Sequence, residues 1–178
     1  IWAFLRARML GPGRLPEWYE PDWRPVAAGP RAVIDAGHAF EWAFLLSEAQ
    51  PLFPDDDLLE PGRQFLAFGM RHGYDPADGG IVSPVDYDGR PRDGRKGWWE
   101  QCEAIRAMRR YVARHDAAEI AAPLDRSLAF VRRNYVDDEF GGWYEGPFGT
   151  ADAPSLAKGN AWKLDYHVVN MCRELLAG

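Results

Sequence analysis

Two histidines sit in short words of sequence whose residue types suit proton transfer. The first word is Gly37-His38-Ala39-Phe40-Glu41-Trp42, opening an apolar run, and the second is Trp162-Lys163-Leu164-Asp165-Tyr166-His167, near the C-terminus. An imidazole titrates close to neutral pH, so two of them facing one pocket can remove a proton from a substrate and return it. Glu41 follows His38 by three residues and shares its helix face. It can orient the imidazole or grip a hydroxyl, and it equally suits the positive end of a helix dipole with no further role. Between the two words lies Lys96-Gly97-Trp98-Trp99-Glu100-Gln101-Cys102-Glu103, with rings and carboxylates of the kind that hold a sugar. Neighbouring aromatics on a helix point about 100° apart, so only one of Trp98 and Trp99 faces a given surface squarely. Glu103 lies four after Trp99 and shares its face. A buried tryptophan with an exposed glutamate is the plainer reading of that word. Asp165 either steers an imidazole or caps a turn.

Composition narrows the partners. The 178 residues suffice for one domain with a real core, and 47% hydrophobic against 27% charged residues excludes a disordered chain. A net charge of −6 argues against nucleic acid, and no basic stripe with interleaved aromatics appears. Cys102 and Cys172 lie on separate amphipathic runs without metal-ligand spacing, which predicts a reduced, cytoplasmic setting. No apolar run approaches a membrane span. His-x-x-Glu at 38–41 has no third and fourth ligand in a neighbouring word, so no metal is expected. His72 and His115 end apolar runs, where a cation favours the helix dipole, and both read as structural. Asp55-Asp56-Asp57 reads as charge at a helix start, and the Gly-Gly pairs at 79–80 and 141–142 as turns.

The elements that must position these residues show through a repeat. Trp18-Tyr19-Glu20 recurs as Trp143-Tyr144-Glu145, 125 residues on, and Gly79-Gly80-Ile81 lies 62 residues before Gly141-Gly142-Trp143. Each unit is a helix, a Gly/Pro/Asp-rich loop with a short extended piece, and a second helix. Apolar residues three and four apart place first helices at about 1–10, 58–73 and 120–135, and second helices at about 38–50, 98–114 and 161–176. Examples are Ile105, Met108, Tyr111 and Val112, and Val168, Met171, Cys172 and Leu175. Extended pieces are expected near 18–20, 79–88 and 141–148. All three chemical words fall near the start of a second helix, so their side chains meet at a common mouth if those helices line the inside of a toroid. The apolar run from Trp2 reads as a helix entered midway, which suggests the C-terminal part of a longer protein.

Gly37-His38-x-x-Glu41-Trp42, Trp98-Trp99-x-Gln101-x-Glu103 and Asp165-Tyr166-His167, in this order and spanning nearly the whole chain, resemble the N-acylglucosamine 2-epimerase superfamily. That superfamily includes mannose and related aldose–ketose isomerases and the cellobiose 2-epimerases. The resemblance implies an all-α fold: an α/α toroid of helical hairpins, here about half of an (α/α)6 barrel. Residues 1–178 are then a single domain of three hairpins, about 1–57, 58–119 and 120–178. It implies His38 and His167 as the catalytic acid and base. Substrate-binding groups would be Glu41, Trp42, Trp99, Gln101, Glu103 and Asp165, with Trp99 as a sugar-facing surface and Glu103 as an acceptor during ring opening. No metal or cofactor is implied for the proton transfer. The two rings are expected on the order of 6–10 Å apart, each within reach of a substrate proton.

The reaction so implied opens a pyranose, removes the C2 proton and forms a cis-enediolate. Return of the proton to C1 gives a ketose; return to C2 on the opposite face gives the 2-epimer. Because C2 is a weak carbon acid, electrostatic stabilisation of the enediolate must supply much of the rate, partly from the N-terminal half of a family barrel. An aldose–ketose isomerase acting on mannose-like sugars is the leading expectation, from the acidic residue ahead of Tyr166-His167, and a sugar 2-epimerase of N-acylglucosamine or cellobiose type is the runner-up. Two other readings are an α/α-barrel glycoside hydrolase using Glu41 and Glu103 as its carboxylate pair, and an inactive fragment. Expected partners are a monosaccharide or small disaccharide, with no nucleic acid or membrane. The N-terminal half of the barrel, or a second copy, is expected to cover the apolar flanks of Trp2, Phe4, Leu5 and Leu175.

Overall fold

A computed structural model describes residues 2–9, 11, 13–146, 157–159, 161 and 163–177. Its α-helices are α1 (Trp2–Arg8), α2 (Ala36–Ala49), α3 (Leu59–Phe68), α4 (Trp98–Arg114), α5 (Ala121–Asn134) and α6 (Tyr166–Leu176). These are the helices that the apolar spacing predicts, in hairpin order. The ends differ for local reasons. Helix α2 starts two residues earlier than the spacing suggests, because Asp35 caps it by accepting the Gly37 N–H at 2.8 Å. Helix α6 starts later than expected. Lys163 donates its ammonium to the Lys158 carbonyl at 2.9 Å, which holds the approach as a loop, and Asp165 takes the cap position. Trp162 lies outside the described residues. Helix α3 runs on into a π turn over Gly69–Gly73, and the Asp57 carboxylate accepts the Glu60 N–H near its start, as its charge suggests.

Helices α2, α4 and α6 form one row, with α2 packed on α4 and α4 on α6. Helix α3 packs outside α2, and α5 outside α4. The seam is apolar: Phe40, Ile105, Met108 and Tyr111 are fully buried, and each such side chain contributes roughly 1.5–3 kcal/mol by leaving water. The Tyr111 hydroxyl is not stranded there; it donates to the Ala43 carbonyl at 3.2 Å. Cys172 departs from the expected pattern and is exposed, because it lies about 100° around α6 from buried Met171.

The connections hold no strand among the described residues, only isolated antiparallel bridges such as Tyr19 with Pro25, Ile34 with Val85, Tyr74 with Ile81 and Val136 with Trp143. They fall within or beside the expected extended pieces, although 147–148 lies outside the described residues. The repeat survives in atomic detail. In one unit the Asp75 N–H donates to Gly80 and the Gly79 N–H to Asp75; in the next, Asp137 and Gly141 make the equivalent bonds with Gly142 and Asp137. Gly79 and Gly141 both sit at positive φ, 89° and 73°, where a side chain is strained. Lys96 then reaches the Asp75 carboxylate at 2.7 Å, and Lys158, also 21 residues on, reaches Asp137 at 2.5 Å. Each lysine ties the entry of a second helix to the turn that precedes it.

His72 and His115 are placed in packing. His72 lies against Phe68 with ring centroids 4.7 Å apart. His115 bonds Ser47 at 2.7 Å and lies tilted against Tyr111, with ring centroids 4.9 Å apart.

Candidate active site

The first turn of α2 points His38 into a concave surface, and a residue far back in sequence fixes its ring. Glu17, in the loop before α2, takes the His38 Nδ1 at 2.9 Å, and the same oxygen accepts the Asp35 N–H at 3.2 Å. Burial pulls the imidazole toward its neutral form. The hydrogen bond and charge of Glu17, with the charges of Asp35 and Glu41, outweigh it and push His38 up to about 9. His38 is therefore an imidazolium at neutral pH. Glu41 lines the same pocket without touching the ring nitrogen; burial and the Glu103 charge hold its carboxyl above the usual range. The carboxylate on the His38 ring is thus Glu17, which the sequence did not single out, and not Glu41.

His167 has a matching anchor on the other side. Its Nδ1 meets Glu103 Oε1 at 2.7 Å, and the second Glu103 oxygen accepts from Arg106 at 3.0 Å. Arg106 in turn lies over the Phe44 ring, 3.6 Å from its centroid. With Nδ1 of both histidines committed to a carboxylate, Nε2 is the nitrogen left on each ring to exchange a proton with a ligand.

Trp99 stands between the two. Its ring centroid lies 4.9 Å from that of His38 and 5.4 Å from that of His167, so one indole bridges both imidazoles. Around it Glu41, Trp98, Glu145, Lys163 and Tyr166 complete a cavity of about 360 Å³, within the size that holds a small ligand. The starts of α2, α4 and α6 converge here. A roomier hollow of about 570 Å³ between Glu20 and Ala27 holds no histidine and no aromatic ring.

Other expected site residues lie elsewhere. Glu103 is wholly buried, with both oxygens used, and does not line the pocket; it is one turn deeper than Trp99, beneath His167. Gln101 is also buried: its side chain accepts the Ile81 N–H at 2.7 Å and donates to the Ile81 and Gly97 carbonyls. It lies about 200° around the helix from Trp99, so the two cannot share a surface. Trp42 turns outward and stacks on Phe65 of α3 at 6.2 Å, because the 100° step from Glu41 carries it off the pocket side. Asp165 is exposed and meets Lys163 at 3.3 Å rather than an imidazole. Beyond Glu17, the pocket residues not expected are Trp98, Glu145, Lys163 and Tyr166. The Tyr166 ring lies 3.8 Å from that of His167, and its place directly before that histidine was the one available signal. Among the described residues no group of three or more His, Cys, Asp or Glu side chains is placed to hold a metal ion.

Residues 6–171 match the family model described as N-acylglucosamine 2-epimerase (GlcNAc 2-epimerase). The chain belongs to this family. Among curated relatives it is 28% identical over 170 residues to the cellobiose 2-epimerase of Bacteroides fragilis, covering 89% of this chain and 40% of that one. It is 35% identical over 107 residues to the D-mannose isomerase of Thermobifida fusca, covering 53% of this chain and 26% of that one. The solved cellobiose 2-epimerase of Spirochaeta thermophila superposes with a TM-score of 0.79 at 25% identity, covering 97% of this chain and 43% of that one. The helical hairpins are thus part of an α/α toroid. The chain spans well under half the length of these relatives.

Proposed function

We propose that the full-length protein is an aldose–ketose isomerase that moves a proton between C2 and C1 of a mannose-like sugar. The observation that carries this reading is the pair of histidine–carboxylate dyads, His38–Glu17 and His167–Glu103, on either side of Trp99. The sugar lies on the exposed face of Trp99, with Glu41 as acceptor for one of its hydroxyls. His38, held as the imidazolium, donates to the carbonyl oxygen O1 as the enediolate forms, and takes back the O2 proton as C1 is protonated and the ketone forms. His167 presents Nε2 as the base for the C2 proton. Residues 1–178 supply three hairpins, about half of an (α/α)6 barrel, and further groups on the enediolate come from the rest of the barrel or from a second copy.

A 2-epimerase is the second reading, favoured by a relative matched over 89% of this chain, which is named a cellobiose 2-epimerase. It uses the same dyads and differs only in where the proton returns. A glycosidase is not supported, because Glu103 is buried behind His167 with both oxygens occupied. The two cysteines are free, and none of the helices, over the described residues, is long and apolar enough to cross a membrane; a cytoplasmic setting fits both. Assay of the full-length enzyme with mannose, fructose, glucose and cellobiose decides between the readings. Mannose–fructose interconversion is expected; turnover of cellobiose alone, to its 2-epimer, replaces the first reading with the second.

A further inference from the structure

Glu100 is the third residue of α4, and its carboxyl folds back over the helix start into space that two glycines leave open. A Cβ on Gly97 would lie 2.2 Å from its Oε2, and a Cβ on Gly37 would lie 2.8 Å from its Cγ. The residue is 8% exposed, and Oε2 has no hydrogen-bond partner among the described residues. The charged and titratable groups around it are Asp35 and His38 from α2 and its cap, Arg95 from the preceding loop, Cys102 from its own helix and Tyr135 after α5. Among the described residues no donor reaches that oxygen, and a backbone hydrogen bond with the His38 and Arg95 charges offsets the burial only in part. The Tyr135 hydroxyl donates to the Lys96 carbonyl, and Asp35 already accepts from Gly37 at 2.8 Å and Ser83 at 2.7 Å. An ionised carboxylate with one bare, buried oxygen beside a second buried carboxyl is strongly disfavoured.

We propose that Glu100 is a positioning residue for the proton transfer, held as a neutral carboxylic acid behind His38 while Asp35 carries the charge. His38 then faces one fixed negative charge from this pair rather than two. The role rests on the reading of His38 as an acid given above. Burial first, and then the Asp35 charge, push Glu100 up to about 8, and burial raises Asp35 as well, in keeping with the geometry. Loss of the Glu100 proton puts a second charge beside the imidazolium and holds its proton more tightly, so the two ionisations are linked.

Infrared spectroscopy of the full-length protein with ¹³C-labelled glutamate carboxyls tests this. A protonated-carboxyl stretch is expected at neutral pH, fading as pH rises through about 8 and missing from Glu100→Gln. The NMR titration of the His38 ring should show an inflection over the same range, lost in Glu100→Gln, whose amide stands in for the neutral acid. The alkaline limb of kcat/KM should move to lower pH in that variant. No such stretch in the wild type at neutral pH, or its survival in Glu100→Gln, overturns the proposal. If Glu100→Gln fails to fold, the wild-type band alone decides. Full activity in His38→Asn with the band intact overturns the catalytic role of His38 instead, so the two failures are distinct.

Discussion

Three carboxylates surround His38, and Glu17 is the one in contact, which is what suits it to the proposed role of acid. A histidine raised in this way lends the fold a stabilisation that is complete below its ordinary value of roughly 6.5 and lost as pH rises through the folded one. Here the loss runs up to about 9. Glu17→Gln should therefore move the alkaline limb of kcat/KM from about 9 toward the ordinary histidine value of roughly 6.5. A pH–rate profile of the variant that superimposes on the wild type would remove Glu17 from the dyad. The two histidines and Trp99 were legible because their words place them at helix starts. Glu17 was not, since it lies 21 residues before His38 in a loop whose course only the fold reveals. Trp42 and Gln101 lie off the pocket because membership of a word does not say which way each 100° step around the helix points, whereas Glu103 shares the Trp99 face but sits a turn deeper against His167.

Helix entry is set by the repeated lysine clamp. Lys96 bonds both Asp75 and Asp78, and its ammonium also lies 5.3 Å over the Phe130 ring. Removing it strands two partly buried carboxylates at the start of α4, where Trp98 and Trp99 must be presented. Lys96→Met should destabilise the fold by about 2 kcal/mol, the scale of hydrogen bonds to charged groups, seen as a lower urea midpoint at unchanged slope. An unchanged midpoint would mean that the clamp contributes nothing to the folded state. The six helices could be read from apolar spacing because packing and pattern agree in them. The start of α6 could not, since it depends on where the Lys163 ammonium is spent. The offset of 62 residues between the Gly-Gly turns was visible in sequence; that a lysine locks each turn was not, because Lys96 and Lys158 sit in unlike surroundings along the chain.

At the scale of the whole molecule, α6 carries an apolar face that no other described helix covers. Val169, Cys172 and Leu176 follow one another along α6, and Val169 and Leu176 are 53% and 85% exposed. Of the flanks that the sequence had pointed to, Phe4 is 43% exposed with its ring edge-on to Trp23 at 5.0 Å, whereas Trp2, Leu5 and Leu175 are partly buried. An apolar stripe of that kind seeks a partner. Light scattering on the 178-residue chain should show self-association, weakened by Val169→Lys with Leu176→Lys. A monodisperse monomer with full isomerase activity would contradict the half-barrel account.

The central claim is that His38 and His167 pass a substrate proton across the face of Trp99. Turnover by the full-length enzyme in heavy water tests it most directly. The account predicts solvent deuterium at C1 or C2 of the recovered sugars, and a loss of at least about 10²-fold in both turnover and exchange for His38→Asn and His167→Asn, the least that general acid–base catalysis is ordinarily worth. Interconversion without deuterium at either carbon, or exchange that persists in both variants, would contradict it.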